Sequence, residues 1–289
     1  MKVKLWFFLA NIIPVKLYLR ILFYLKQTSF LHIKKPETFN EKMQYLKIWG
    51  YKDFHTVVAD KYLVREYIKN KIGEKYLIPL FHVTSVPSQK DFEKLPRTFV
   101  MKANHGSSMV KIIHDINKEN IADLISICSS WLKENHYQIT KEPQYKNIKR
   151  KIIFEKFLEG VNGSLPMDYK FHCFEDKVEI IQIDIDRFTN HRRILYDKAW
   201  ERMPFHWSTW KNGKEKSPQG GDIAKPKNLD EMITIVELLA RDFNYARIDL
   251  YNLDGVIYFG EITLHPGSGW ERITPQKFDK ILGSKIKLM

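Results

Sequence analysis

Cysteine is nearly absent from this chain of 289 residues: Cys128 and Cys173 stand far apart, with no C-x-x-C or zinc-type spacing. A disulfide scaffold is excluded, and two reduced, packed thiols in a cytoplasmic protein are expected. Long apolar runs are missing as well. Leu5 to Ile13 is the first such run, and Pro14, Lys16, Arg20 and Lys26 interrupt the residues after it, short of the ~20 apolar residues that a spanning helix requires. Lys2 and Lys4 before that run imitate a signal peptide, but no small-x-small cleavage site comes after it. No Gly-x-Ser-x-Gly elbow, internal repeat or low-complexity tract occurs, and no lone serine, cysteine or histidine has the partner spacing of an activated nucleophile. Zinc-finger, RNP and basic-zipper patterns are also missing, which leaves nucleic acid the weakest candidate partner.

Acidic residues are in deficit, 34 against 47 Lys and Arg, for a formal charge of +13. That surplus needs an anionic counterpart: nucleotide phosphates, an anionic membrane face or a uronic-acid polymer. At 44% hydrophobic and 28% charged, the chain is too apolar for disorder and too charged for a multi-span membrane protein. Residues 1–30 are basic and aromatic-rich. Two readings fit them: Trp6, Phe7, Tyr18, Phe23 and Tyr24 at a lipid headgroup boundary on the inner membrane face, or a helical pair packed on the core.

Thr38-Phe39-Asn40-Glu41 is a capping box, and Phe39, Met43, Leu46 and Trp49 recur behind it at helical spacing. A second helix is expected from Asp60, with Val64 and Ile68 on one face and Gly73 just beyond its end. Short β-like runs come next at 77–83, 98–102 and 109–114, the last two forming a hairpin with a small-residue tip. A helical stripe runs from Ile121 to Leu132, entered from Asn117. Strands resume at 152–158, 168–174 and 178–185, with a turn at Glu175-Asp176. Residues 198–227 carry Trp200, Trp207 and Trp210 without sustained periodicity and read as a long loop. A helix at 229–241 precedes a hairpin of 246–251 and 256–263 around Asp254-Gly255. Helices and mostly antiparallel pairs in this order imply an α+β fold.

Four segments carry chemistry. Lys102 ends an apolar strand before Gly106-Ser107-Ser108, where a lysine and a tip of backbone N–H groups can close on phosphate; a plain hairpin turn reads the same way. Arg247 and Asp249 alternate on one strand of the last hairpin, and Glu261 and Thr263 on the other. Period-two spacing turns all four to one face, where they form either a carboxylate pair for Mg²⁺ or a cross-strand ion pair. His265-Pro266-Gly267-Ser268-Gly269 comes directly after Thr263 and Leu264, with backbone donors suited to a developing oxyanion. Glu155-Lys156-Phe157-Leu158 ends an apolar strand of the kind that meets adenine through its main chain.

In this order the segments resemble the ATP-grasp superfamily, and most of all its TupA-like branch, associated with teichuronopeptide and other surface-polysaccharide biosynthesis. The resemblance runs from Lys35-Pro36-Glu37-Thr38-Phe39-Asn40-Glu41-Lys42 through Ala59-Asp60-Lys61-Tyr62-Leu63-Val64-Arg65-Glu66-Tyr67 to Gly260-Glu261-Ile262-Thr263. Five of its segments recur in the same order in D-alanine:D-alanine ligases. The resemblance implies an ATP-grasp fold of two α+β subdomains clasping ATP, divided as a helical segment 1–58 and subdomains 59–154 and 155–289. It implies a ligase that phosphorylates a carboxylate and lets an amine attack the acyl phosphate.

Carried across, Lys61 and Lys102 would bind ATP phosphates under a loop of Gly106, Ser107 and Ser108. Glu155, Lys156, Phe157 and Leu158 would meet adenine, Asp168 the ribose and Lys170 a phosphate. Asp249, Glu261 and Thr263 would hold Mg²⁺, Thr263 standing where the family usually has asparagine. Arg247, with Gly267, Ser268 and Gly269, would stabilise the transferred phosphoryl group and the tetrahedral intermediate. Implied partners are an anionic or uronate-containing glycan of a bacterial envelope or capsule and an amine such as an amino acid. A rival reading rests on Asp184-Ile185-Asp186, the Asp-x-Asp by which many glycosyltransferases hold a metal against a nucleotide-sugar.

Overall fold

The computed structural model describes residues 12–160, 163, 165–185, 190–211 and 213–288. Two helices open the described chain, α1 (Val15–Gln27) and α2 (Phe39–Trp49). The capping box starts α2 as expected: Thr38 accepts from the Glu41 amide, and Glu41 accepts from the Thr38 amide in return. Trp6 and Phe7 lie outside the described residues. Tyr18 and Phe23, candidates for a lipid boundary, are buried with Leu19, Leu31 and Ile33 instead. They form the packed stripe of α1, so only part of the aromatic content of this stretch faces outward.

By packing the chain divides into one unit of residues 1–51 and 166–289 and a second of residues 52–165. The N-terminal helices therefore share a unit with the C-terminal sheet.

Within residues 52–165 come α3 (Asp53–Ala59), α4 (Val64–Ile72), β1 (Leu80–Thr84), α5 (Gln89–Glu93), β2 (Phe99–Ala103), β3 (Val110–Ile113), α6 (Ile121–Lys133), α7 (His136–Thr140) and β4 (Ile152–Glu155). Helix α4 begins later than Asp60, because the Asp60 carboxylate accepts from the Tyr62 and Leu63 amides and holds a separate turn there. The strands form one antiparallel sheet in the order β1-β4-β2-β3. Phe99, Met101, Ile113, Ile152 and Phe154 bury one core with Leu124 and Cys128 of α6, the stripe visible in the sequence.

The other unit adds β5 (Met167–Phe174), β6 (Lys177–Ile185), β7 (Arg192–Tyr196), β8 (His206–Ser208), β9 (Trp210–Lys211), β10 (Lys214–Glu215), α8 (Leu229–Ala240), β11 (Tyr245–Leu253), β12 (Val256–Thr263), β13 (Arg272–Thr274) and α9 (Gln276–Ser284). The segment read as a long loop thus contains three strands, each too short to show a period; β8 pairs with β13, and β9 with β10. The main sheet is antiparallel in the order β12-β11-β5-β6-β7. Positive φ at both Asp254 (51°) and Gly255 (91°) closes the β11–β12 hairpin with a turn whose twist suits the strands.

Alternation along this sheet separates two environments. Tyr169, Phe171, Ile181, Ile183, Ile248 and Leu250 are buried on one face, where α8 packs across β5, β6 and β11. At one end of the opposite face Phe174, Ile180 and Tyr245 meet Phe39 and Trp207. Phe39 is fully buried, with ring centroids of Trp207 and Tyr245 at 4.8 and 5.0 Å in edge-to-face contact. The rest of that face is polar.

Asp279 of α9 fastens α2 to this core, accepting from the Asn40 amide at 3.1 Å and from Asn40 Nδ2 at 3.2 Å. Burial outweighs those bonds and pushes the carboxyl up to about 6. Between the ordinary carboxylate value and about 6 the folded protein keeps a proton that the unfolded chain releases. This contribution to stability is therefore present in acid and lost as pH rises to about 6. The expected size is about 3 kcal/mol. Urea unfolding of the native protein and of Asp279→Asn at several pH values between about 4 and 7 should give a difference that changes in this direction; a difference independent of pH would contradict it.

Candidate active site

Two polar centres stand out, one in each unit. In the 52–165 unit, Asn104 follows β2 and organises three segments. Its Nδ2 donates to Asp60 Oδ1 (2.8 Å) and to the Lys149 carbonyl (3.0 Å), while its Oδ1 accepts from the Lys151 amide (2.8 Å). The Lys61 amide donates to the Asn104 carbonyl, and Lys61 Nζ donates to the Gly106 carbonyl at 2.5 Å. Lys61 is thereby held against the small-residue tip, in which Ser107 and Ser108 are exposed and Ser108 has a positive φ of 64°. Lys102 Nζ pairs with Glu155 Oε2 at 2.5 Å, and Arg65 Nη1 reaches Glu155 Oε1 at 3.2 Å. Strand β4 ends at Glu155; Phe157 and Leu158 beyond it are buried and Lys156 is exposed.

The second centre lies on the polar face of the main sheet. Register places Asp249 directly opposite both Glu261 and Lys170, Arg247 opposite both Thr263 and His172, and Asp184 opposite Arg193. Arg247 donates from Nε and Nη2 to the two oxygens of Asp249, each at 2.7 Å, and from Nη2 to Glu261 Oε1 (2.9 Å) and Thr263 Oγ1 (3.1 Å). Lys170 is buried among Asp168, Asp249 (3.5 Å) and Asp184 (3.9 Å). Arg193 links Asp184 (2.8 Å) to Glu271 (3.0 Å). The convergence of Arg247, Asp249, Glu261 and Thr263 inferred from period-two spacing is thus present.

Crowding sets the electrostatics of this face. Burial, reinforced by Asp168 and Glu261, raises the Asp249 carboxyl to about 6 against the opposing pull of Arg247 and Lys170. Burial and then the Arg247 charge hold His172 far below its ordinary value and hence neutral. Its Nε2–H donates to Gln182 Oε1 (3.1 Å), leaving Nδ1 to accept from the Tyr245 hydroxyl (2.8 Å). Gln182 in turn donates to Asp184, so a hydrogen-bonded chain joins the aromatic core to the charged face.

The residues present fit a magnesium ion. Asp249, Glu261 and Thr263 offer oxygen only, and Mg²⁺ favours a few carboxylates with its remaining positions left to water and phosphate. Among the described side chains the cluster sets five carboxylates, Asp168, Asp184, Asp249, Glu261 and Glu271, against three cations, Lys170, Arg193 and Arg247. That imbalance favours a dication. Among the described residues no group of three or more His, Cys, Asp or Glu forms a metal-binding set; the oxygens of Asp249, Glu261 and Thr263 that would serve an ion accept from Arg247 in this structure.

Pro266–Gly269 forms a tight turn after β12, with Gly267, Ser268 and Gly269 all at positive φ (52°, 57° and 66°). A Cβ on Gly269 would run into Met43 and Gln44. Helix α2 holds this turn: Gln44 Nε2 donates to the Ser268 and Gly269 carbonyls (3.2 and 3.1 Å), and buried Lys47 donates to the Ser268 carbonyl and hydroxyl, both at 2.8 Å. Lys47 also lies over the Trp270 ring at 4.3 Å.

Sequence reasoning gave no site role to Arg65, Asn104, Lys47 or Glu271, although Arg65 lies within, and Asn104 beside, a segment already singled out; the partners that place them are 44 to 221 residues away. Of the rival Asp-x-Asp pair, Asp186 lies outside the described residues. The oxygens of Asp184 accept from Arg193, His191 and Gln182.

Fold and site together define a mixed α+β protein with a charged centre in each of its two units. Residues 41–287 match the TupA-like ATPgrasp family, and the chain belongs to that family. No curated protein matches it. Among solved structures it is similar to D-alanine–D-alanine ligase from Bacillus anthracis, with 17% identity, a TM-score of 0.43 and coverage of 76% of this chain and 63% of the other. It is also similar to L-amino acid ligase from Bacillus licheniformis, with 14% identity, a TM-score of 0.46 and coverage of 89% and 56%. The chain thus spans less than two thirds of the length of the ligases it matches.

Arg247→Ala leaves Asp249 buried beside other carboxylates without its guanidinium. Removing one partner from a buried ion pair typically costs about 3–5 kcal/mol. Chemical denaturation should show a loss of that order; a loss under about 0.5 kcal/mol, as at an exposed surface position, would contradict the assignment.

Proposed function

We propose that this protein is an ATP-dependent carboxylate–amine ligase that forms an amide through an acyl phosphate, attaching an amino acid to a bacterial surface polysaccharide or its precursor. The observation that carries the reading is the Asp249–Glu261 pair, opposite each other on adjacent strands with Thr263 beside them, in a chain of the ATPgrasp family. Asp249, Glu261 and Thr263 would hold Mg²⁺, which when bound neutralises phosphate charge. Lys61 and Lys102 would bind phosphates beneath the tip of Gly106, Ser107 and Ser108. The main chain of Glu155 to Leu158 would meet adenine, and Asp168 the ribose. The burial of Lys170 among three carboxylates favours for it a role in setting the charge of the face.

In the reaction, a carboxylate oxygen of one substrate attacks the γ-phosphorus of ATP and ADP leaves. The amine nitrogen of the other then attacks the carbonyl carbon, phosphate departs, and the nitrogen loses a proton. Arg247 would stabilise the transferring phosphoryl group, and the Gly267–Gly269 amides the tetrahedral intermediate. Such chemistry depends on fixed position and fixed charge rather than on a covalent nucleophile. The tethering of the Gly267–Gly269 turn by Gln44 and Lys47 supports this use. A surplus of 13 positive charges suits a uronate-containing acceptor, and the same surplus, concentrated near the N-terminus, suits a cytoplasmic protein working on the inner face of the membrane.

ADP release with Mg²⁺, measured across a panel of amino acids and uronates, tests the reading. A carboxylate and an amine together should stimulate release, and Asp249→Asn or Glu261→Gln should lower it by about 100-fold or more. Hydrolysis of a sugar nucleotide with no stimulation by any carboxylate would overturn it.

A further inference from the structure

Helix α1 is apolar on two faces, and the core uses only one. Tyr18, Leu19 and Phe23 are buried. Leu17, Ile21, Tyr24 and Leu25 follow the i, i+4, i+7, i+8 spacing of a second stripe, in which Leu17, Tyr24 and Leu25 are exposed at 48%, 52% and 55%. Phe30, 75% exposed, extends it and rests against Tyr24 with ring centroids 5.4 Å apart. Ile12 is exposed at the near end. Five of the fifteen exposed large hydrophobic side chains among the described residues therefore fall between Ile12 and Phe30. Such a concentration marks an interaction surface, whereas the scattered remainder needs no explanation.

Charge identifies the occupant. Lys16 and Arg20 form the adjacent row of the helix and Lys26 lies in its last turn, all three exposed. Lys16 Nζ stands 4.9 Å from the ring centroid of Trp49, a further exposed aromatic. No acidic residue precedes Glu37, while Lys2, Lys4, Lys16, Arg20, Lys26, Lys34 and Lys35 do. A second copy docked through the same segment would bring like charge against like, for residues 1–36 supply no acid to pair with themselves. An anionic bilayer supplies both what the cations need and an acyl boundary for Leu17, Leu25 and Phe30, with Tyr24 at headgroup depth. No described helix is long and apolar enough to cross a membrane, so the contact lies along the surface.

We propose that the Leu17–Leu25 face of α1, with Phe30, docks the protein flat on an anionic lipid surface. The proposal deepens the membrane contact suggested above and does not depend on the reaction. Deleting residues 1–30 is unsuitable as a test, because Leu19 and Phe23 belong to the core; exposed side chains are replaced instead. Co-sedimentation of the full chain, without ATP, uses phosphatidylcholine vesicles with and without about one third phosphatidylglycerol. The full chain should bind the anionic vesicles, less so in high salt. The combined variant Leu17→Ser, Tyr24→Ser, Leu25→Ser and Phe30→Ser should bind at least tenfold more weakly at an unchanged melting temperature. Lys16→Gln with Arg20→Gln and Lys26→Gln should abolish the preference for anionic vesicles. Binding by the serine variant equal to that of the unaltered chain would overturn the proposal. So would a self-association, seen by analytical ultracentrifugation, that the serine variant loses while no vesicle binding occurs. Neither outcome touches the ligase reading, which ADP release decides separately.

Discussion

The charged face of the main sheet answers to one constraint: charged side chains raised on alternate positions of adjacent antiparallel strands must find partners along their own strand or on the strand beside them, since burial makes a lone charge costly. Arg247 on β11 meets Asp249 two residues along its own strand and Glu261 across the ladder. Lys170 on β5 and Arg193 on β7 continue the pairing across the sheet. The other unit repeats the device in miniature, with Lys102 of β2 paired to Glu155 of β4. A face assembled in this way is heavily charged and densely paired.

Helix α2 joins stability to the site. Its first turn is capped by Thr38 and Glu41, Phe39 enters the aromatic core, and Gln44 and Lys47 grip the Pro266–Gly269 turn. Since Phe39, Met43 and Lys47 succeed one another at helical spacing, the residue that anchors the helix also fixes where Lys47 reaches. Of the three consecutive residues at positive φ in the turn, Gly267 and Gly269 take that conformation freely, whereas Ser268 is held in it by this external support.

Much of this was legible because the signals were local. The capping box of α2, the Asp254-Gly255 turn and the alternation of Arg247, Asp249, Glu261 and Thr263 depend only on residues close in sequence or on a period of two. Strands β8 to β10 were read as loop because two or three residues carry no period. Asp60 promised a helix start and made a separate turn. The aromatic residues of α1 could be sorted into buried and exposed only when the helix had a core to rest on.

From its own order of residues the chain determined the α+β class, the main helices and hairpins, and which side chains share a face of each strand, because these arise from spacing and local hydrogen bonding. Tertiary structure alone decided that Arg193 would bridge Asp184 to Glu271, that Asn104 would tie Asp60 to residues 149–151, and that Lys47 would close on Ser268. Apart from Asp184 and Arg193, nine residues apart on adjacent strands, those partners lie tens to hundreds of residues apart, and no periodicity encodes which distant groups burial will force together.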